Sequence, residues 1–281
     1  MIVECVINVS EGRNVAVLTS LDAAAGISLL DRHTDPDHHR SVLTLAGVAA
    51  DVALSARRVA EVAVARLDLS EHFGAHPRLG VLDVVPFVPF LPDELPPTDV
   101  RLVTELRDDF ARWLADDLGV PSFLYGSRPD GDVRTLPQVR RGAFAELDPD
   151  FGPDHPHRTA GATAVGARPV LVAYNVWVSS VEVAKAVASQ VRGPVVRSLG
   201  LAVGSGAQVS CNLIEPVAVG PAQLYEDVAR LAEIAGGSVL GAELVGLVPR
   251  AILRAIPESR WSELGLSEAN TVEARLSQRC G

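Results

Sequence analysis

The sequence predicts an α+β fold in which one order of elements, β-α-β-β-α-β, occurs twice. Two observations predict it: the hydrophobic period switches between two and three-to-four in the same order in both parts of the chain, and a segment with its own amphipathic helix separates the two runs. Composition agrees, because 281 residues with 48% hydrophobic and 21% charged side chains can fill a substantial core. In the first run, residues 2–9 read as a strand, 13–24 as a helix, and 27–33 and 40–47 as two strands around a polar loop. Val52, Ala56, Val59, Ala63 and Leu67 then recur on one helical face, and 81–88 read as a buried strand. The separating segment carries Leu102, Leu106, Phe110, Trp113 and Leu114 at helical spacing. The second run has a strand over 170–178 and a helix from 181, whose start Ser179 and Glu182 would close as a capping box. Strands over 195–203 and 206–215 follow, then a helix through Leu224, Val228, Leu231 and Ile234 and a strand over 238–248. Two ferredoxin-like halves, 1–168 and 169–281, follow from this, with a cleft between them as the natural ligand site.

Charge and cysteine usage exclude several classes of function. The net charge of −10 repels nucleic acid and anionic membrane, and no basic run or aromatic ladder offsets it. No apolar stretch approaches the ~20 residues of a membrane helix and no leader is evident, so a soluble cytoplasmic protein is expected. Cys5, Cys211 and Cys280 are odd in number and far apart, with Cys280 in a tail expected to fray, which fits a reducing compartment and argues against a thiolate zinc site. Lys185 is the single lysine beside 24 arginines, so any anion site must use arginine, histidine or backbone.

Polar chemistry concentrates in four segments. Gly74 to Gly80 sets His76 beside Arg78, an imidazole that titrates near neutrality next to a guanidinium that grips carboxylates, bracketed by glycine and proline and followed by Asp83. His72 and His76 have His-x-x-x-His spacing, but Gly74 and Pro77 interrupt the helix a zinc pair would need. Asp31, His33, Asp35, Asp37, His38, His39, Arg40 and Ser41 form a loop between two strands, read either as a metal site or as a hydrogen-bonded loop lining a pocket. Asp150 to Arg168 is rich in glycine, proline and histidine, and either offers donors to a planar ligand or simply links the two halves. Gln208 to Asn212 alternates polar residues along a strand, with solvent as the default environment and a cleft as the other.

At these residues the chain resembles the formiminotransferase family. The resemblance runs through Glu4-Cys5-Val6 and Asn8, Ser10-Glu11-Gly12-Arg13, Asp37-His38 with Arg40-Ser41-Val42, Ala75-His76-Pro77-Arg78, Asp83 with Pro86-Phe87, and Tyr125-Gly126. It continues through Asp150-Phe151-Gly152-Pro153, Gly161-Ala162-Thr163 with Gly166-Ala167-Arg168, Ala173-Tyr174-Asn175 and Leu244-Val245-Gly246-Leu247-Val248-Pro249. It implies transfer of a formimino group from N-formimino-L-glutamate to N5 of tetrahydrofolate in histidine catabolism, two ferredoxin-like subdomains enclosing a ligand tunnel, and a homodimer. It also implies that His76, on the catalytic loop of the N-terminal subdomain, is the acid/base. The folate loop it implies is Gly152, Pro153, Asp154, His155, Pro156, His157, Arg158, Thr159, Ala160 and Gly161.

One imidazole near pKa ~6.5 can take the proton that N5 loses and give it to the departing glutamate nitrogen. Arg78 and Arg40 would then anchor substrate carboxylates, Asp37 would bind the amidinium or orient His76, and Gln208 joins the substrate-binding candidates. Tetrahydrofolate enters as co-substrate, and this chemistry requires no metal. Ile7, Val9 and Trp177 depart from the family pattern, the folate loop is more basic than usual, and the stretch Arg192 to Val196 is short. With no cyclodeaminase segment within these 281 residues, a separate enzyme is expected to consume the product. The alternatives are a metal-dependent hydrolase using the Asp31–His39 loop and a folate-binding relative without turnover.

Overall fold

A computed structural model describes residues 2–74, 76–128 and 131–279, which leaves Ala75 of the histidine loop and Cys280 outside the described residues. The chain divides into two units, Met1–Phe90 with Pro97–Pro169, and Leu91–Pro96 with Val170–Gly281. The protein is mixed α+β, with a seven-stranded sheet in the first unit and a four-stranded sheet in the second.

The first unit begins with β1 (Ile2–Val9), α1 (Val15–Ala25), β2 (Leu29–Asp35), β3 (Arg40–Val48), α2 (Ala49–Arg66) and β4 (Leu82–Phe90). These strands lie in the order β2-β3-β1-β4, and each neighbouring pair is antiparallel. Asn14 caps α1 by accepting the N–H groups of Ala16 and Val17. Alternate residues of β1, namely Val3, Cys5, Ile7 and Val9, are fully buried and pack with α1, α2 and the helix that follows. Burial raises the Cys5 thiol well above its ordinary range, so it behaves as a small core hydrophobe.

The segment between the predicted halves contributes more than a helix. After α3 (Arg101–Leu118) come β5 (Ser122–Ser127), β6 (Val133–Arg134), α4 (Leu136–Gly142) and β7 (Thr163–Ala167). Strand β7 inserts between β4 and β5, parallel to both, and extends the sheet to β2-β3-β1-β4-β7-β5-β6. The second, opposite face of these strands carries Val84, Phe123, Tyr125 and Ala164, which pack against Val139 of α4 together with Phe144 and Leu147. Helix α3 buries Phe110 and Leu114 as predicted, with Leu106 and Trp113 half-buried against the same core; Val103 and Ala111 join them, and of the predicted stripe Leu102 is exposed. The polar loop between β2 and β3 is also shorter than expected, because Asp31, His33 and Asp35 belong to β2.

The second unit holds β8 (Val172–Val178), α5 (Val181–Val191), β9 (Val196–Val203), β10 (Gly206–Leu213), α6 (Pro221–Ile234) and β11 (Val239–Val245). Its sheet order, β11-β8-β10-β9, repeats that of the first four strands with every pair antiparallel. The cap of α5 is Ser180, whose hydroxyl accepts the Val183 N–H; Ser179 instead accepts the N–H of Ser238. Helix α5 crosses β9 at Gly200, where an added Cβ would sit 2.5 Å from the backbone of Ala184 and Lys185. Leu224, Val228 and Leu231 of α6 are buried as predicted, whereas Ile234 points to solvent. Cys211 is buried in this core, with its thiol pushed up to about 12. Among the described residues, no helix is long and apolar enough to cross a membrane.

Candidate active site at the head of the first sheet

Pairing register places the charged cluster. Val9 at the end of β1 pairs with Ser41 near the start of β3 and with Leu82 at the start of β4, so Asn8, Arg40 and Asp83 meet at one end of the sheet. Asp83 is completely buried. Its Oδ2 accepts Arg40 Nη1 at 2.5 Å and Arg140 Nη2 at 2.6 Å, and its Oδ1 accepts the Leu79 N–H at 2.7 Å. Burial by itself would raise this carboxyl; the two guanidiniums and their hydrogen bonds overcome it and hold the group far below the usual carboxylate range. Arg40 also donates to Asn8 Oδ1 from Nε at 3.2 Å and from Nη2 at 2.8 Å. Two cations on one carboxylate leave a positive excess here, within a molecule whose net charge is −10.

His76 stands half-buried beside this cluster. Its Nδ1 lies 2.6 Å from the Pro77 carbonyl oxygen, which can only accept, so Nδ1 carries the proton and Nε2 keeps a lone pair. Burial foremost, then the positive charges of Arg40 and Arg140, pull its pKa down to about 3 against the upward influence of Asp83. The imidazole is therefore neutral across the physiological range, a correction to the value near 6.5 expected of an ordinary histidine.

Three other histidines gather nearby. The His38 ring meets that of His76 edge-on at 6.0 Å, while His39 and His72 stack at 4.1 Å. His39 occupies a left-handed backbone position, with its Nδ1 accepting the Gly12 N–H at 3.0 Å, and its carbonyl takes the His72 Nε2 proton at 2.9 Å. Burial first, and then neighbouring charge, lowers the pKa of both His39 and His72. Arg78 packs its guanidinium on His72 and donates to the His76 carbonyl, from Nε at 3.1 Å. Asp37 is exposed at the turn tip, its backbone N–H held by Asp35 Oδ1 at 2.8 Å. Among the described residues, no group of three His, Cys, Asp or Glu side chains is placed to hold a metal ion.

The glycine-rich loop reaches this site at one end. Val81 donates to the Ala160 carbonyl at 2.9 Å and Ala162 to that of Leu79 at 3.1 Å, docking the loop on the segment that carries His76. Gly80 and Gly161 allow this approach: a Cβ on Gly80 would meet the Ala162 carbonyl oxygen at 2.2 Å, and Gly161 has φ +71°. His157 closes the turn by exchanging backbone hydrogen bonds with Gly161, and its Nδ1 accepts the Ala160 N–H at 3.0 Å. Ala160 and Gly161 are buried in this docking, whereas Gly152, Asp154, His155, Pro156 and Arg158 are exposed, Pro153 and Thr159 being half-buried. His155 pairs with Asp154 at 2.9 Å.

Gln208 belongs to the second unit, directly across from Trp177 in the β8–β10 pairing. It is fully buried, not solvent-facing, and its Nε2 donates to Glu243 Oε2 at 3.3 Å. Ile7 and Val9 are fully buried in the first core, so their departures from the family motif touch packing. Sequence reasoning missed Arg140, which no motif marks. The signal within reach was the Thr135-x-x-Gln138 capping box with Pro137, which starts α4 and sets Arg140 in its last turn.

Residues 2–168 match the model of the formiminotransferase domain, N-terminal subdomain. The chain is 34% identical to a glutamate formimidoyltransferase of Streptococcus pyogenes serotype M1 over 282 residues, covering 92% of each protein. A glutamate formimidoyltransferase of Thermoplasma acidophilum is 32% identical over 302 residues, covering 99% of this chain and 98% of that protein. The chain is 37% identical to the formimidoyltransferase-cyclodeaminase of Sus scrofa over 288 residues, covering 90% of this chain but 51% of that protein.

Proposed function

Since the chain belongs to the formiminotransferase family, we propose that it moves a formimino group from N-formimino-L-glutamate to N5 of tetrahydrofolate, with His76 as acid/base. The observation that carries the acid/base role is the state of His76: neutral, its proton fixed on Nδ1, and its Nε2 lone pair left for the reactants. N5 attacks the amidine carbon, forming the new C–N bond and a tetrahedral intermediate with positive charge on N5. Nε2 takes the N5 proton and delivers it to the glutamate nitrogen; that C–N bond then breaks, releasing glutamate and 5-formimino-tetrahydrofolate. Such proton transfer contributes ~100- to 10,000-fold, and holding both reactants in one site supplies much of the rest.

Arg78, with its guanidinium on His72 and the His76 carbonyl, anchors a substrate carboxylate. Arg40, already bound to Asp83 and Asn8, supplies positive field to the same anion. Asp37 at the exposed turn takes the amidinium. An arriving carboxylate offsets the arginine charge and raises the His76 pKa, which couples proton affinity to occupancy. Tetrahydrofolate is the co-substrate, lying against Gly152, Asp154, His155, Pro156 and Arg158, the exposed residues of a loop that also holds Pro153 and His157 and ends in Thr159, Ala160 and Gly161. The repeated strand order supports reading 1–168 and 169–281 as ferredoxin-like subdomains. A cytoplasmic homodimer, with a separate cyclodeaminase consuming the product, completes the proposal.

A single-turnover assay of the purified protein with N-formimino-L-glutamate and tetrahydrofolate, read as 5-formimino-tetrahydrofolate, tests it. Product from the parent protein and a loss of at least ~100-fold in His76→Ala are expected. Tetrahydrofolate binding without product formation would reduce the chain to a folate-binding relative.

A further inference from the structure

Two donors converge on one carbonyl oxygen beside His76. The Pro77 oxygen lies 2.6 Å from His76 Nδ1 and 3.0 Å from Arg140 Nη1. The other arm of the Arg140 guanidinium donates to Asp83 Oδ2 at 2.6 Å, and Asp83 is anchored on the backbone by the Leu79 N–H at 2.7 Å. Arg140 thus ties a rigid strand residue to the single oxygen that holds the His76 ring. We propose that Arg140 is a positioning residue for His76: it fixes the Pro77 carbonyl so that the imidazole keeps its proton on Nδ1 and presents Nε2 to the reactants. The inference rests on the proposed acid/base role of His76 and deepens it.

A neutral imidazole in solution exchanges freely between two tautomers, and only one leaves Nε2 as a base. Selection here depends on a backbone oxygen in the residue after the histidine, on a loop flanked by Gly74 and Gly80. Proline fixes φ at that residue but leaves ψ, and hence the direction of its carbonyl, to be set by something else. Arg140 is that restraint, and its planar fork spans both partners as one rigid group. Its charge also disfavours an imidazolium at the same spot. Lysine there would keep the charge but lose the rigid planar fork, donating to both partners only from one freely rotating nitrogen.

The test uses Arg140→Gln and Arg140→Lys, each in the parent and in the His76→Ala background, with the tautomer of His76 read from its ring nitrogen shifts in 15N NMR. Arg140→Gln is expected to mix the two tautomers, lower kcat at least ~10-fold with KM within ~3-fold, and move the acid limb of the pH profile upward. Arg140→Lys restores the acid limb while recovering only part of kcat. In the His76→Ala background neither change lowers the rate further. A His76 tautomer and acid limb unchanged in Arg140→Gln, or an equal loss of rate with and without His76, overturns the proposal and leaves Arg140 as a clamp on α4. Full activity of His76→Ala alone would instead sink the acid/base reading, and the nitrogen shifts would still decide whether Arg140 sets the ring.

Discussion

At the scale of single residues the site is governed by charge imbalance around one buried carboxylate. Asp83→Asn keeps the shape but leaves Arg40 and Arg140 facing each other without a counter-charge, and removing one partner of a buried ion pair costs about 3–5 kcal/mol. The urea midpoint at pH 7 should fall accordingly; an unchanged midpoint would mean that the guanidiniums find other partners. His76 makes an opposite kind of contribution. Its folded pKa of about 3 lies below the value near 6.5 of an unfolded histidine, so the unfolded chain binds a proton that the native protein refuses. Stability is therefore lost as pH falls from roughly 6.5 towards 3, whereas the Asp83 contribution is full above the ordinary carboxylate pKa of roughly 4 and is lost progressively as pH falls below it. Urea midpoints at pH 7, 6 and 5 should decline less steeply in His76→Ala, and parallel declines would refute the depressed pKa. The histidine was legible in the sequence because glycine, proline and arginine bracket it. The shift was not, because burial, its largest cause, is set by the fold, and Arg40 and Arg140, 36 and 64 positions away, reach His76 only through it.

At the scale of elements, the apolar pattern located the strands and helices of both β-α-β-β-α-β runs, through one buried face in most of them and through a near-continuous apolar run in β4, where every residue is buried. What it missed has a common cause. Strands β5, β6 and β7 are short, and residues of both parities in β5 and β7 are buried, because α3 covers one face and α4 the other; such strands show no alternation. Capping offers a sharp check. Ser180→Ala removes the hydroxyl that accepts the Val183 N–H and should cost about 1 kcal/mol of stability. Ser179→Ala loses only its bond to Ser238 and should cost less; the reverse order would restore the capping box first read at Ser179. Gly200→Ala is a test of helix seating, because its methyl would force α5 away from β9. A loss of roughly 1–3 kcal/mol is expected, as for overpacking elsewhere, and a neutral outcome would show that the helix backs off freely.

At the scale of the molecule, family motifs carried more than composition could. Their ordered spacing runs from Glu4 to Pro249 and gave the class of reaction, while charge alone indicated only that large anionic partners are disfavoured. That same charge makes ligand binding informative, since an acidic chain can favour a polyanionic folate only through local cation and backbone donors. Binding to the native state adds RT ln(1 + [L]/Kd), about 2.7 kcal/mol at a hundredfold excess over Kd, and therefore raises the thermal midpoint by several degrees. Tetrahydrofolate should produce this shift in the parent protein and, undiminished, in His76→Ala, because in the proposed mechanism the histidine moves a proton and does not hold the pterin. Gly80→Ala should abolish most of it, since its Cβ collides with the Ala160 and Ala162 carbonyls and undocks the glycine-rich loop from the histidine segment. Differential scanning calorimetry with and without ligand separates the cases. A shift lost in His76→Ala would place the histidine in folate binding, and a shift preserved in Gly80→Ala would move the folate contacts away from the docked end of the loop.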